Sequence, residues 1–184
     1  MDAVLNSFFL VFISEIGDKT QLLALVLTMR FKKPWTIMAG IFVATLLNHA
    51  FASWGGAWIS SQVSPKTMSY ILAAIFIFFA GWILIPDKEE DLKESQKYGA
   101  FLTTTVAFFL AEMGDKTQLA TVALGAKYAS VWLVTIGTTL GMMASNFLAV
   151  FFGEKLLAKI PMKYIRIIAS VMFLLFGIAI LVGY

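Results

Sequence analysis

Six stretches of this chain, near 3–29, 35–60, 67–85, 99–125, 130–152 and 164–183, each approach or exceed the length of mostly apolar sequence that a bilayer-crossing helix needs. That length is about 20 residues. The chain is 60% hydrophobic and only 14% charged, against roughly 45–50% and about 25% in soluble domains. So much apolar surface in 184 residues cannot be hidden from water in one core. The expected fold is therefore an all-α polytopic membrane protein of six transmembrane helices.

Punctuation supports these boundaries. Pro34, Pro65 and Pro161 stand just before the second, third and sixth stretches, where a missing N–H costs a helix little. Pro86 follows the third, and residues 87–98 hold the one strongly charged segment, including Glu89, Glu90 and Asp91. That segment reads as a solvated loop between a first unit, 1–86, and a second, 99–184.

Basic residues set the orientation. Arg30, Lys32, Lys33, Lys88, Lys93, Lys97, Lys155, Lys159, Lys163 and Arg166 fall in alternate loops, whereas only Lys66 and Lys127 fall on the other side. Ten against two predicts the first group to be cytoplasmic. Both termini are then expected outside the cytoplasm, in a cell (inner) membrane. The start of the chain has no basic segment and no cleavage site of the kind a removable leader carries.

The two units resemble each other. The block Glu15-Ile16-Gly17-Asp18-Lys19-Thr20-Gln21-Leu22 returns 97 positions later as Glu112-Met113-Gly114-Asp115-Lys116-Thr117-Gln118-Leu119. At the same offset Phe12, Leu27, Trp35 and Gly40 meet Phe109, Leu124, Trp132 and Gly137. With a one-residue slip Pro65 and Gly81 meet Pro161 and Gly177. Three spans per unit is an odd number, so the second unit enters the membrane from the opposite face. A 3+3 inverted repeat with a polar site at its interface is a transporter architecture. Counting about 1.5 Å per helical residue puts Glu15 about 19 Å and Glu112 about 21 Å from their own starting faces, near the middle of a core roughly 30 Å thick.

Of eleven acids, Glu15, Asp18, Glu112 and Asp115 sit at that depth. A charge there costs at least about 2.5–3.5 kcal/mol, which marks such residues as functional. On a continuous helix Glu15 and Asp18 share a face, as do Glu112 and Asp115. If the two helices cross, four carboxylates converge, and an oxygen-only site suits Ca²⁺, Mg²⁺ or Mn²⁺. Gln21 and Gln118 add amide oxygens. Lys19 and Lys116, four residues after each Glu, are placed for intrahelical pairing and charge balance. Each block then carries −1, so one divalent cation or two protons would neutralise the pair. Gly17 and Gly114 permit close backbone approach, or a helix break that frees carbonyls as ligands.

Two copies of E-x-G-D-[KR]-[ST], Glu15 to Thr20 and Glu112 to Thr117, in a six-span inverted repeat resemble the Golgi-type calcium/manganese–proton antiporter family. It includes bacterial manganese exporters. The resemblance covers nearly the whole chain and implies exchange of a divalent cation for protons, with the motif acids as the cation site. Members of this size suggest Mn²⁺ first and Ca²⁺ second, which the residues alone do not choose between.

Weaker candidates have bland alternatives. His49 offers a proton relay, but Asn146 occupies its place in the second unit, which favours hydrogen-bonded packing. Asn48, Ser145 and Asn146 suit either oxygen ligation or interhelical hydrogen bonding. Met113 offers a thioether, yet Ile16 is its equivalent, so packing is favoured. The Thr20 and Thr117 hydroxyls are expected to bond their own backbone more readily than a metal. The tryptophans fall mostly towards span ends, as in an interface belt. The small-residue stretch 137–141 is able to pack a dimer, so monomer and homodimer both stay open.

Two rival functions use the same residues: a passive divalent-cation channel, and a non-transporting assembly protein in which the charges hold helices together. Without cysteine, a nucleotide loop or a serine–histidine pair, no enzyme, cofactor or nucleic-acid partner is expected. The expected partners are the lipid bilayer, a divalent cation and protons.

Overall fold

Helices account for nearly all of what the computed structural model describes, residues 2–85, 99–157 and 162–183. The described residues form α1 (Asp2–Glu15), α2 (Lys19–Phe31), α3 (Pro34–Gln62), α4 (Pro65–Trp82), α5 (Ala100–Glu112), α6 (Lys116–Tyr128), α7 (Val131–Leu157) and α8 (Met162–Val182). No strand occurs among them. The charged loop at 87–98, Pro86, Pro161, Lys159 and the side chain of Lys155 lie outside the described residues.

The first and fourth apolar stretches are each divided in two, and the repeated block stands at both divisions. Among the described residues three segments, Pro34–Gln62, Pro65–Trp82 and Val131–Gly153, are long and apolar enough to cross a membrane, while Ala100–Glu112 and Arg166–Val182 are shorter apolar helices. Helix α7 departs from helical geometry at Gly153 (φ 59°, ψ −161°).

Local chemistry sets most of the ends. Pro34 and Pro65 begin their helices, and Ser64 caps α4 by accepting from the Thr67 amide at 3.3 Å. Helices α2 and α6 stop alike. Lys32 and Ala129 take left-handed conformations, and their amides return to Thr28 and Gly125 carbonyls at 2.9 Å. Lys32 and Ala129 are themselves 97 positions apart.

Packing is crosswise between the two units. Helix α1 lies along α7 and α5 lies along α3, in both cases against glycine. A Cβ at Gly40 would stand 2.8 Å from Thr104 Cβ, and one at Gly137 would stand 2.9 Å from Ser7 Cβ. These are the same contact in the two units, since Gly40 and Thr104 correspond to Gly137 and Ser7. Without side chains at those points the backbones approach closely, the usual means of helix association where water supplies no hydrophobic drive. Gly56 and Gly125 do the same between α3 and α6. Gly141 meets the backbone of Phe8 and Phe12, so the stretch 137–141 is used within the chain and is not the free dimer stripe the sequence suggested.

Two apolar clusters flank this arrangement. One joins α4, α6 and α8 around Phe76, Phe79, Leu124 and Phe173; the other joins α2, α3, α5 and α7 around Leu27, Ile37, Ile41 and Phe108. The outside is apolar too, with Trp35, Phe51, Trp54, Phe78, Trp132 and Leu175 each more than half exposed. An apolar exterior of this extent, around apolar helices, belongs to a multi-pass membrane protein.

Candidate metal centre

Each repeated block breaks its helix in the same way. Glu15 is the last residue of α1 and Asp18 the N-cap of α2; Glu112 is the last residue of α5 and Asp115 the N-cap of α6. Between them Gly17 and Gly114 adopt φ values of 79° and 77°, a left-handed geometry that costs other residues roughly 1–2 kcal/mol each. Of the two roles open to these glycines, the structure uses the helix break. Each break is braced identically. The Gly17 amide donates to Gln21 Oε1 and the Gly114 amide to Gln118 Oε1, both at 2.7 Å.

The break corrects two expectations. Glu15 and Asp18 do not share one helical face, nor do Glu112 and Asp115, because no continuous helix carries either pair. For the same reason the intrahelical pairings of Lys19 with Glu15 and of Lys116 with Glu112 lose their geometry. Lys19 Nζ instead lies 3.2 Å from Asp115 Oδ1, across the two blocks. Lys116 Nζ donates to the Ile85 carbonyl at 3.1 Å and lies 5.9 Å from the centre of the Trp82 ring.

Three acids come together. Glu15, Glu112 and Asp115 each bring one carboxylate oxygen within 4.8 Å of the others. All three are buried, the two glutamates completely. Asp18 lies outside this group and is half-buried. Both oxygens of Glu112, and Asp115 Oδ2, are buried without a hydrogen-bond partner. A buried carboxyl oxygen without a donor is costly, so these three atoms are suited to receive a cation or a proton.

The threonines depart from expectation in a way their positions explain. Thr28, Thr104, Thr121 and Thr138, inside helices, each donate to the carbonyl four residues back at 2.7–2.9 Å. Thr20 and Thr117 are each the second residue of their helix, so the residue four back lies in the break. Their hydroxyls turn to Glu15: Thr20 Oγ1 donates to Oε2 at 2.7 Å and Thr117 Oγ1 donates to Oε1.

The remaining candidates act mainly between helices. Gln21 Nε2 donates to Ser145 O and to Ser145 Oγ, both at 2.7 Å, tying the first break to α7. Asn48 Nδ2 donates to the Phe109 carbonyl at 3.0 Å. Asn146 Nδ2 donates to Met142 O and lies at the same 3.1 Å from Met142 Sδ, while its Oδ1 is unpartnered. His49 is fully buried with neither ring nitrogen bonded, so its packing is not of the hydrogen-bonded kind expected. Met113 is 55% exposed on the outer surface, neither a packed core residue nor part of the cluster. The cross-block partners were not visible in the sequence; the position of each threonine just after a glycine break was the signal for its hydroxyl's freedom.

Residues 3–91 and 100–184 match the profile of a family described as divalent cation/proton antiporter GDT1. The chain is similar to a Vibrio cholerae protein named "Putative manganese exporter", at 44% identity over 97% of this chain and 90% of that protein. A GDT1-like protein of Synechocystis is 26% identical over 92% of this chain and 91% of its own length. GDT1-like protein 3 of Arabidopsis thaliana is 26% identical over 97% of this chain and 70% of its own. No solved structure matches.

Proposed function

Because the chain belongs to the divalent cation/proton antiporter family GDT1, we propose that it exports Mn²⁺ from the cytoplasm in exchange for protons, with Ca²⁺ as a second substrate. The observation that carries the cation site is the meeting of Glu15, Glu112 and Asp115, drawn from both blocks and buried together. Hard oxygen donors of this kind suit Mn²⁺ and Ca²⁺ alike. The name of the Vibrio relative supports placing Mn²⁺ first. In this reading Glu15, Glu112 and Asp115 hold the ion, and Asp18 contributes charge from the mouth of the α2 N-terminus. Lys19 offsets part of the negative charge through Asp115, while Lys116, held by the Ile85 carbonyl beside Trp82, adds positive charge only from a distance.

The coupling follows from electrostatics. With the ion gone, the cluster would leave a net negative charge in a place that hydrocarbon surrounds. Protons arriving on the carboxyl groups restore neutrality and let the empty site change the face it presents. The same residues therefore bind either the metal or protons, which is what exchange requires.

The reading also takes the chain as six membrane spans in a 3+3 inverted repeat, 1–86 and 99–184 joined by a cytoplasmic loop. The spans are α1 with α2, α3, α4, α5 with α6, α7, and α8. The matched contacts of Gly40 and Gly137 and the matched helix breaks support this. The basic residues favour both termini outside the cytoplasm, and the reading takes the membrane to be the inner one.

The test is reconstitution into liposomes with an imposed pH gradient, following Mn²⁺, Ca²⁺ and internal pH together, with Glu112→Gln as control. Proton movement that depends on metal, and falls to the level of empty liposomes in the variant, is the expected result. Metal movement without protons would identify a channel. Unimpaired exchange in Glu112→Gln would remove that carboxyl from the site.

A further inference from the structure

Although the two blocks are nearly identical, their glutamates are held differently. Glu15 receives one hydroxyl on each oxygen, Thr20 on Oε2 and Thr117 on Oε1. Glu112 receives none on either oxygen. Both threonines are buried, and each belongs to a different block. Thr117 thus crosses to Glu15 just as Lys19 crosses to Asp115.

We propose that Thr20 and Thr117 are positioning residues that clamp Glu15 as the fixed wall of the cation site, leaving Glu112 as the carboxyl whose oxygens only the ion or a proton satisfies. The proposal rests on the cation-site reading above. A hydroxyl donor on each oxygen sets the plane of the Glu15 carboxylate. Threonine suits the task because its branched Cβ restricts χ1, so the hydroxyl is already aimed. The Glu112 oxygens, buried with no donor, are left for the ion or a proton to satisfy. The clamp also makes the site depend on both blocks at once, since withdrawing α6 from α1 removes a donor from Glu15.

The experiment measures Mn²⁺ binding to the purified full chain in detergent by the electron paramagnetic resonance signal of free Mn²⁺. The variants are Thr20→Val, Thr117→Val, Thr20→Ser and Thr117→Ser, with the alanine pair read in the same way where a valine variant does not fold. Each valine variant is expected to bind about ten- to a hundredfold more weakly, the weight of one hydrogen bond to a charged acceptor. The serine variants, which keep the donor, are expected within about threefold of the unaltered chain. In liposomes the same loss is expected in the half-saturating Mn²⁺ concentration, with the maximal rate little changed; a merely structural role would instead lower the amount of active protein and leave half-saturation unchanged. Folded valine variants with unaltered affinity, or serine variants as weak as valine, would overturn the clamp alone. An unaltered chain that binds neither Mn²⁺ nor Ca²⁺ would overturn the cation site and the clamp with it.

Discussion

The two repeated blocks differ at one position in eight, yet they occupy unlike environments. Glu15 receives two hydroxyls on its carboxylate, and Gln21 is bonded to Ser145 of α7. Around Glu112 both carboxylate oxygens are bare, and the second break presents Met113 and Gly114 to the surface. The residues that face the blocks account for part of this. Ser145 offers Gln21 a hydroxyl and a carbonyl, whereas its counterpart Asn48 donates its amide to Phe109. Near-identity in sequence thus gives matching backbone breaks but not matching sites, because the threonines of both blocks turn to Glu15 and because Ser145 and Asn48 differ where they face the two breaks.

The comparison is broken most severely by neutralising one acid at a time. Asp115→Asn removes a member of the buried cluster and the partner of Lys19, so exchange in liposomes is expected to fall to background. Asp18→Asn puts an equally suitable residue at the N-cap position, where the Asp18 side chain makes no capping bond, and removes a charge outside the cluster. About a tenfold loss is expected, equivalent to a single interaction of roughly 1.4 kcal/mol. Equal losses in the two variants would mean that Asp18 enters the cluster during the cycle.

Smaller effects are expected from the glycines. Gly17→Ala and Gly114→Ala both force a side chain into left-handed geometry at a cost of about 1–2 kcal/mol. At Gly114 a Cβ would meet nothing within 4 Å, so the cost there is conformational alone. Thermal unfolding of the two variants is expected to shift downward by similar amounts; a marked difference would show that the breaks are not equivalent.

The smallest effect is expected from Ser145→Ala. It deletes one of two acceptors for Gln21 and leaves the backbone carbonyl, a loss of about 0.5–1.5 kcal/mol at most. Transport is expected to fall by only a few-fold. A larger loss would mean that the first break must stay docked on α7 for exchange to occur.

Much of this was legible beforehand. Apolar length marked the helices, and prolines at 34 and 65 marked two of their starts. The position of a glycine between two acids in each block already allowed a broken helix. Legibility stopped where a partner is distant in sequence. Lys19 looked as though it belonged to Glu15, four residues away, because that is the near neighbour on an unbroken helix. Once Gly17 breaks the helix, Asp115 is nearer. The threonines misled for the same reason, since the rule that a helical hydroxyl bonds four residues back assumes that a helical residue is there.

The linear sequence by itself determined that the chain needs a lipid solvent, that one eight-residue block occurs twice, and that four acids and two lysines stand at matching places in it. These follow from local composition and spacing, which do not depend on how helices pack. Only the tertiary structure decided which three acids meet, which lysine answers which acid, and that one glutamate is clamped while its twin is bare. Those choices rest on helix crossings and on directed hydrogen bonds across about a hundred residues of chain, and such bonds are specified by where neighbouring helices come to rest.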